Sequence, residues 1–321
     1  WYYFDKSLSD LSPAEAAFLA GLPNAPTRFN PRKNFDRAKL RQLTILARMH
    51  RNGWLGGDSY RRACAEPIAL NPEGRAFAAA HFVDLVKQQR DVDVNVQTTL
   101  DLPLNQFAHQ ALCDRLDRLE GKNVSNGAVV VIENATGNVL ALAGSRDYFD
   151  PHAGQVNGAW APRSAGSTFK PFTYLLALES GRSAASVVAD VPTDFATPTG
   201  VFSPYNYDRH FHGPVRLRLA LANSLNVTAV KVLEQVGGAE ALQKRLQQCG
   251  LTTLNARPAH YGLGLTIGNA EVRLVELTNA FATLGRLGVH RPYRLLKTDQ
   301  SSLSRIFDVS HAWLMADILS D

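Results

Sequence analysis

The stretch Arg163-Ser164-Ala165-Gly166-Ser167-Thr168-Phe169-Lys170-Pro171-Phe172 places a hydroxyl three residues before an amine. If a helix starts at Ser167, this spacing sets Ser167 and Lys170 on one face, about one turn apart. A neutral amine so placed can take the hydroxyl proton and release a nucleophile for acyl transfer. Pro171 pins the start close to Ser167: the residue four past the cap would normally donate its N–H to the cap carbonyl, proline has none to give, and proline is tolerated only near a helix's first turn. Ser167 then lies at the positive end of the helix dipole, which favours a developing oxyanion. The same field, with burial, disfavours the charged amine and helps Lys170 act as a base. Alone the S-x-x-K spacing is weak, since about half a match is expected by chance in this composition.

A second polar element is Asn223-Ser224-Leu225-Asn226, inside the helix-like stretch 215–236. On a regular helix, residues two apart diverge by about 200°. For Ser224 and Asn226 to face one cleft, the chain must turn non-helically there, so that S-x-N joins two helices. A hydroxyl at 224 could then relay a proton between Lys170 and a leaving amine. An amide at 226 could hold both the lysine and a substrate amide. The competing reading is a single helix carrying a polar stripe.

These residues need elements to hold them. Residues 12–22 read as a complete short helix: Ser12 caps, Pro13 opens, Glu15 completes a capping box and Gly21 stops it. Residues 34–52 form an amphipathic helix, Asp58 caps another to about Ala65, and 75–90 is helical. Asp93 to Leu100 alternates like a strand, and Pro103 opens a helix carrying Leu104, Phe107, Leu112, Leu116 and Leu119. Gly127–Asn134 and Val139–Gly144 make a hairpin. Helices follow at about 168–180, 215–236, 238–249 and 271–287, with a Pro/Gly/Asn-rich loop at 190–214 suited to wall a cleft. The expected class is α+β, a helical subdomain against a mainly antiparallel sheet.

At 321 residues and 45% apolar content, the chain can form two cores. It starts at Trp1 and ends at Asp321 inside a helix-like stretch, and is taken as a fragment. No apolar run reaches the ~18 residues of a membrane span. Residues 1–65 hold eleven Lys/Arg against five Asp/Glu, a surplus of six that accounts for the whole +5 net charge and leaves the remainder close to neutral. That basicity suits anionic headgroups, pyrophosphate-bearing substrates or nucleic acid, or is simply a solvated helix face. Cys64, Cys113 and Cys249 are odd in number and lack a CxxC pair, which argues against zinc or a disulfide framework. His210 and His212 lack a matching third ligand and read as a polar loop. No cofactor or metal is expected.

Together and in this order, the two motifs resemble the penicillin-binding, serine-acylating transpeptidase family, whose set is S-x-x-K, S-x-N and K-T-G. The order of Gly127–Gly144, Ser164–Phe172, Asp190–Phe195, Tyr205–Val215 and Ala220–Gly237 is similar to the class A members of that family. Leu11–Pro26 with Phe29-Asn30-Pro31 resembles the last motif of a peptidoglycan glycosyltransferase, and Val96–Asp101 the linker between the two catalytic domains. The resemblance implies a glycosyltransferase tail at 1–70, a linker at 71–125 and a transpeptidase domain at 126–321. It implies that Ser167 attacks the carbonyl between two terminal D-alanines of a peptidoglycan stem peptide while Lys170 takes its proton. Ser224 would protonate the leaving D-alanine, Asn226 would orient lysine and substrate, and β-lactams would acylate the same serine. It further implies glycan polymerisation from a lipid-linked disaccharide-pentapeptide at the periplasmic face of the inner membrane. The anchor would lie outside this chain, and no nucleic-acid partner is implied.

Two departures stand out. No K-T-G occurs: Lys297-Thr298-Asp299 has an aspartate where a small residue is required. The glutamates of the upstream glycosyltransferase motifs are also absent, and Glu15 reads as a helix-start residue. A serine β-lactamase and a non-enzymatic penicillin sensor or scaffold share the nucleophile and remain alternatives. Against the first, Glu276-Leu277-Thr278-Asn279 is one residue short of a class A deacylation motif and has core periodicity.

Overall fold

The computed structural model describes residues 3–4, 6, 8–71, 78–89, 95–197 and 200–321. The chain divides into two compact units, Trp1–Ala78 and Ala79–Asp321. The first is helical: α1 (Pro13–Gly21), α2 (Phe35–Arg51) and α3 (Gly57–Ala65). α1 begins as its sequence demands. Ser12 Oγ accepts the Glu15 N–H at 3.1 Å, and the Glu15 carboxylate accepts the Ser12 N–H at 2.9 Å. Ala14, Ala17 and Phe18 of α1 are buried, as are Ala38 and Leu46 of α2. Between these helices, Gln42 Nε2 donates to Ala14 O at 2.8 Å. α3 is capped by Gly56 rather than Asp58, which sits in the first turn and pairs with Arg61 one turn on.

The second unit opens with α4 (Ala80–Gln89). Positions 75–77 and 90 of the expected helix lie outside the described residues, as do 93 and 94 of the expected strand. The remainder of that strand does not form. Thr98 makes one isolated antiparallel bridge to Leu296, and the chain then changes partner. Thr99 N–H donates to Leu295 O at 2.9 Å, whereas Asp101 N–H donates to Leu140 O at 2.9 Å. Extended Val/Thr backbone needs one continuous neighbour to build a ladder, and here the neighbour switches within a few residues. α5 (Leu102–Asp117) follows, capped by Asp101 Oδ1 on the Leu104 N–H at 3.0 Å. Leu112 and Leu116 are buried against Ala143, but Phe107 is 72% exposed and Leu119 lies past the helix end.

The hairpin is β1 (Val129–Ile132) with β2 (Val139–Ala143), in antiparallel register Val129↔Ala143. After it come β3 (Arg163–Ser164), a 3-10 turn (Gly166–Phe169), α6 (Lys170–Glu179), β4 (Val187–Asp190), β5 (Phe195–Thr197), β6 (Gly200–Phe202) and β7 (Gly213–Arg216). Then follow α7 (Leu217–Ala222), α8 (Asn226–Gln235), α9 (Gly238–Gln248), α10 (Pro258–Tyr261) and a 3-10 turn (Gly262–Ile267). β8 (Glu271–Val272), α11 (Leu274–Gly285), β9 (Val289–His290), β10 (Ser304–Arg305) and α12 (Val309–Leu319) complete the chain. The pairs β3–β8, β4–β7, β5–β6 and β9–β10 are antiparallel too, so the β content consists of short two-stranded ribbons.

α6 is the axis of this unit. Its residues 170–178 are all buried, as expected of a helix apolar around its circumference. Phe172, Tyr174, Leu175 and Leu178 share one core with residues of α7, α8, α9, α11 and α12. All three cysteines are free, and burial pushes the Cys249 thiol up to about 12, where it is a packing group rather than a nucleophile. No helix among the described residues is long and apolar enough to cross a membrane.

Candidate active site

Ser167 and Lys170 come together through a 3-10 turn rather than through the first turn of an α-helix. Gly166–Phe169 is 3-10 and α6 begins at Lys170. Proline accounts for the difference. An α-helix starting at Ser167 would need the N–H of residue 171 for the Ser167 carbonyl, and Pro171 has none. The Lys170 N–H takes that carbonyl instead, closing an i to i+3 bond. In a 3-10 turn, side chains three apart eclipse, so the tighter winding aligns the hydroxyl with the amine's stem. Ser167 is exposed, and its hydroxyl makes no hydrogen bond among the described residues. Lys170 is 1% exposed.

Asn223, Ser224 and Leu225 lie between α7 and α8, which breaks the 215–236 stretch into two helices. Ser224 has φ +53°, a left-handed conformation that costs a non-glycine residue about 1 kcal/mol or more. The turn folds the serine back and brings Ser224 and Asn226 to the same amine. Lys170 Nζ donates to Ser224 Oγ at 3.0 Å and to Asn226 Oδ1 at 2.7 Å, and also to the Ser224 carbonyl. Asn226 is held in turn, with Nδ2 donating to Tyr205 O at 2.8 Å. Burial lowers the Lys170 pKa from an ordinary amine's 10.5 to about 8. Concavities flank this group: one of 440 Å3 touches Ser164, Ala165 and Thr168, and one of 340 Å3 touches Asn223 and Ser224.

The other candidates are accounted for by structure. Burial acts to raise the Glu15 pKa, but hydrogen bonds from Lys6 and Ser12 outweigh it and hold the carboxyl below its ordinary range. Glu276 is 2% exposed, and its oxygens accept from Thr252 N–H, Thr252 Oγ1 and Arg273. His210 Nδ1 bonds Asp208 O at 2.7 Å and His212 Nε2 bonds Asp208 Oδ2 at 3.0 Å. No group of three potential ligands suits a metal among the described residues. In Lys297-Thr298-Asp299, the Asp299 carboxylate closes a turn by accepting the Leu295 and Leu296 N–H groups.

Sequence reading passed over Gly268. Ser164 Oγ donates to Gly268 O at 2.7 Å, and Ala165 N–H donates to Ala270 O at 3.2 Å, so the strand entering the Ser167 turn is stitched to 268–270. Gly268 has φ +83°, and a Cβ there would lie 2.1 Å from both Gly166 N and Gly166 O. Nothing local marks this contact, because the two glycines meet only in three dimensions. Gly268→Ala is expected to lower stability by roughly 3 kcal/mol or more, from left-handed strain plus backbone overlap. Urea denaturation measures it; a loss under about 1 kcal/mol would mean that the turn relaxes freely.

Residues 127–321 match the penicillin binding protein transpeptidase domain family, and residues 1–50 match the transglycosylase family. The chain is 32% identical over 323 residues to penicillin-binding protein 1C of Escherichia coli, covering 100% of this chain and 41% of that one. It is 30% identical over 327 residues to penicillin-binding protein 2D of Bacillus subtilis, covering 96% of this chain and 45% of that one. It thus spans less than half the length of either curated relative. Its fold is similar to the crystal structure of penicillin-binding protein 1A from Haemophilus influenzae, with a TM-score of 0.71 at 20% identity, covering 99% of this chain and 68% of that one. The transpeptidase match alone covers more than half of the residues and the transglycosylase match precedes it, so the chain belongs to the class A penicillin-binding proteins.

Proposed function

We propose that Ser167 is the acylated nucleophile of a serine D,D-transpeptidase acting on peptidoglycan stem peptides. The observation that carries this reading is the buried Lys170 amine, held by Ser224 and Asn226 one 3-10 turn from an exposed, unbonded serine hydroxyl. A neutral amine has two N–H donors and one lone pair. With the donors on the Ser224 carbonyl and Asn226 Oδ1, the lone pair is left for a hydroxyl, either that of Ser224 or that of Ser167. Lys170 therefore takes the Ser167 proton as Oγ bonds the carbonyl carbon between the two terminal D-alanines. The tetrahedral intermediate collapses when the C–N bond breaks, and the departing D-alanine receives a proton from Lys170 through the Ser224 hydroxyl. Asn226 orients the lysine and accepts a hydrogen bond from, or donates one to, the substrate amide. An amine of a neighbouring stem peptide then attacks the ester, its proton returns to Ser167 Oγ by the same relay, and the cross-link forms. A β-lactam acylates the same serine, and its tethered leaving group stays attached.

In this reading, residues 1–70 are the C-terminal part of a glycosyltransferase domain that polymerises lipid-linked disaccharide-pentapeptide, 71–125 link it, and 126–321 belong to the transpeptidase. In the same reading the protein is membrane-anchored and works at the periplasmic face. A β-lactamase is disfavoured because both Glu276 oxygens are engaged in the core rather than free to activate water. The test is incubation of the full-length protein with labelled penicillin. Label is expected to persist on the tryptic peptide Ser164–Arg182, since trypsin does not cleave before Pro171. Release within seconds would favour a lactamase. Lasting label without cross-linked product from lipid-linked precursor would favour a sensor or scaffold.

A further inference from the structure

α8 carries Asn226 at its first position but cannot cap itself. The residue before it, Leu225, has no polar side chain, although the first N–H groups of any helix lack partners inside the helix. The acceptor comes from twenty residues upstream. Asn206 Oδ1 takes the Asn226 N–H at 2.8 Å and the Val227 N–H at 3.3 Å. Asn206 is 3% exposed, and its other end is equally committed: Nδ2 donates to Asp190 Oδ2 and to His210 O, both at 2.8 Å. Asp190, at the end of β4, is 0% exposed and also accepts the His212 N–H at 2.9 Å. It has no ion-pair partner among the described residues, and its second oxygen makes no hydrogen bond.

This arrangement settles which way the Asn206 amide points. Flipping it would set NH2 against two N–H donors and C=O against two acceptors. Asp190 therefore fixes Asn206, Asn206 fixes the start of α8, and Asn226 presents Oδ1 to Lys170 at 2.7 Å. We infer that Asp190 and Asn206 form a positioning pair that holds Asn226, and through it the Lys170 amine, in register with Ser167. The inference rests on the proposed role of Ser167 and Lys170. Neither side chain bonds Ser167 or Lys170 among the described residues; the pair acts through Asn226.

The test measures label uptake by the full-length protein over a range of labelled-penicillin concentrations, which separates the acylation rate constant from the dissociation constant. Asn206→Ala is expected to lower the rate constant roughly 10- to 100-fold, as misplacement of a catalytic group does, with the dissociation constant within about threefold of the parent. Asn206→Asp sets two carboxyl groups face to face and is also expected to be slow. Adding Asp190→Asn removes the clash of the two carboxyl groups and restores the bond between the side chains with reversed polarity, a carboxyl oxygen still serving the α8 N–H groups, although the His212 N–H and His210 carbonyl lose their partners. The double variant is expected to acylate at least about tenfold faster than Asn206→Asp alone, a coupling that a mere loss of fold would not show. A folded Asn206→Ala that acylates within threefold of the parent overturns the inference, as does a loss confined to the dissociation constant. If the alanine variant does not fold, the double variant decides, and no gain over Asn206→Asp overturns it. Ser167→Ala separates this from the parent reading: label on that variant refutes the nucleophile, whereas its absence beside a wild-type rate at position 206 refutes only the positioning pair.

Discussion

Ser167→Ala is expected to abolish covalent uptake of labelled penicillin while leaving thermal stability unchanged within about 0.5 kcal/mol. Both halves come from the same observation. The side chain is exposed, and its hydroxyl bonds to nothing among the described residues, so its removal leaves no buried group unsatisfied. The backbone role of residue 167, accepting the Lys170 N–H, survives in alanine. Alanine also suits the helical geometry of the turn. Gel fluorography of the labelled protein beside a melting curve checks the prediction. Label of wild-type intensity on the alanine variant would place the nucleophile elsewhere. A large drop in melting temperature would show that the hydroxyl has a structural partner.

Lys170→Met is expected to slow acylation by about 10²–10⁴-fold, the usual contribution of a positioned general base. Methionine fills similar space without a lone pair or N–H groups. With lysine in place, the pKa of about 8 dictates the pH dependence. The active form is the neutral amine, so the rate should rise about tenfold per pH unit below the pKa and level off above it. In the methionine variant, the residual rate should lose this limb. Pre-steady-state uptake between pH 6 and 10 measures both, and a flat wild-type profile would refute Lys170 as the base.

The same shift has a stability consequence of opposite sense to that of most lysines. The folded pKa lies below the unfolded value, so the unfolded chain binds the proton more tightly. Near neutral pH this costs the native state about 3 kcal/mol, at about 1.4 kcal/mol per pH unit of difference. The cost fades as pH rises from about 8 towards 10.5. Lys170→Met removes it but leaves the Ser224 and Asn226 acceptors without their donor. The variant should therefore melt at or above the wild type at pH 7, with the advantage shrinking as pH rises from about 8 towards 10.5.

Much of the local architecture could be read from residues in a row. The capping box at Ser12–Glu15, the proline at 171 and the Asp101 cap act within one helical turn. The break at 223–226 followed from the sequence only on the condition that Ser224 and Asn226 share a cleft; a single helix over 215–236 with a polar stripe fitted the same residues, and the structure decided against it. The strand expected over 93–100 failed for a non-local reason. Its alternation is real, but its hydrogen-bond partners belong to two separate segments, near 295–297 and at 140. The α-helical start expected at Ser167 became a 3-10 turn because the Pro171 N–H is missing where the helix would need it.

By itself, the sequence determined the identity and order of the chemical groups: a hydroxyl, an amine three residues on, and a downstream S-x-N segment. It also set an apolar run directly after Lys170, which is the ground for expecting the amine to be buried. Only the tertiary structure decided how those groups meet. The amine reaches Ser224 and Asn226 across 54 and 56 residues of chain. The Ser167 turn rests on Gly268, and the start of α8 on Asn206 and Asp190. Hydrogen bonds and close contacts between distant segments leave no periodicity or spacing in a sequence, because their geometry exists only once the chain has closed.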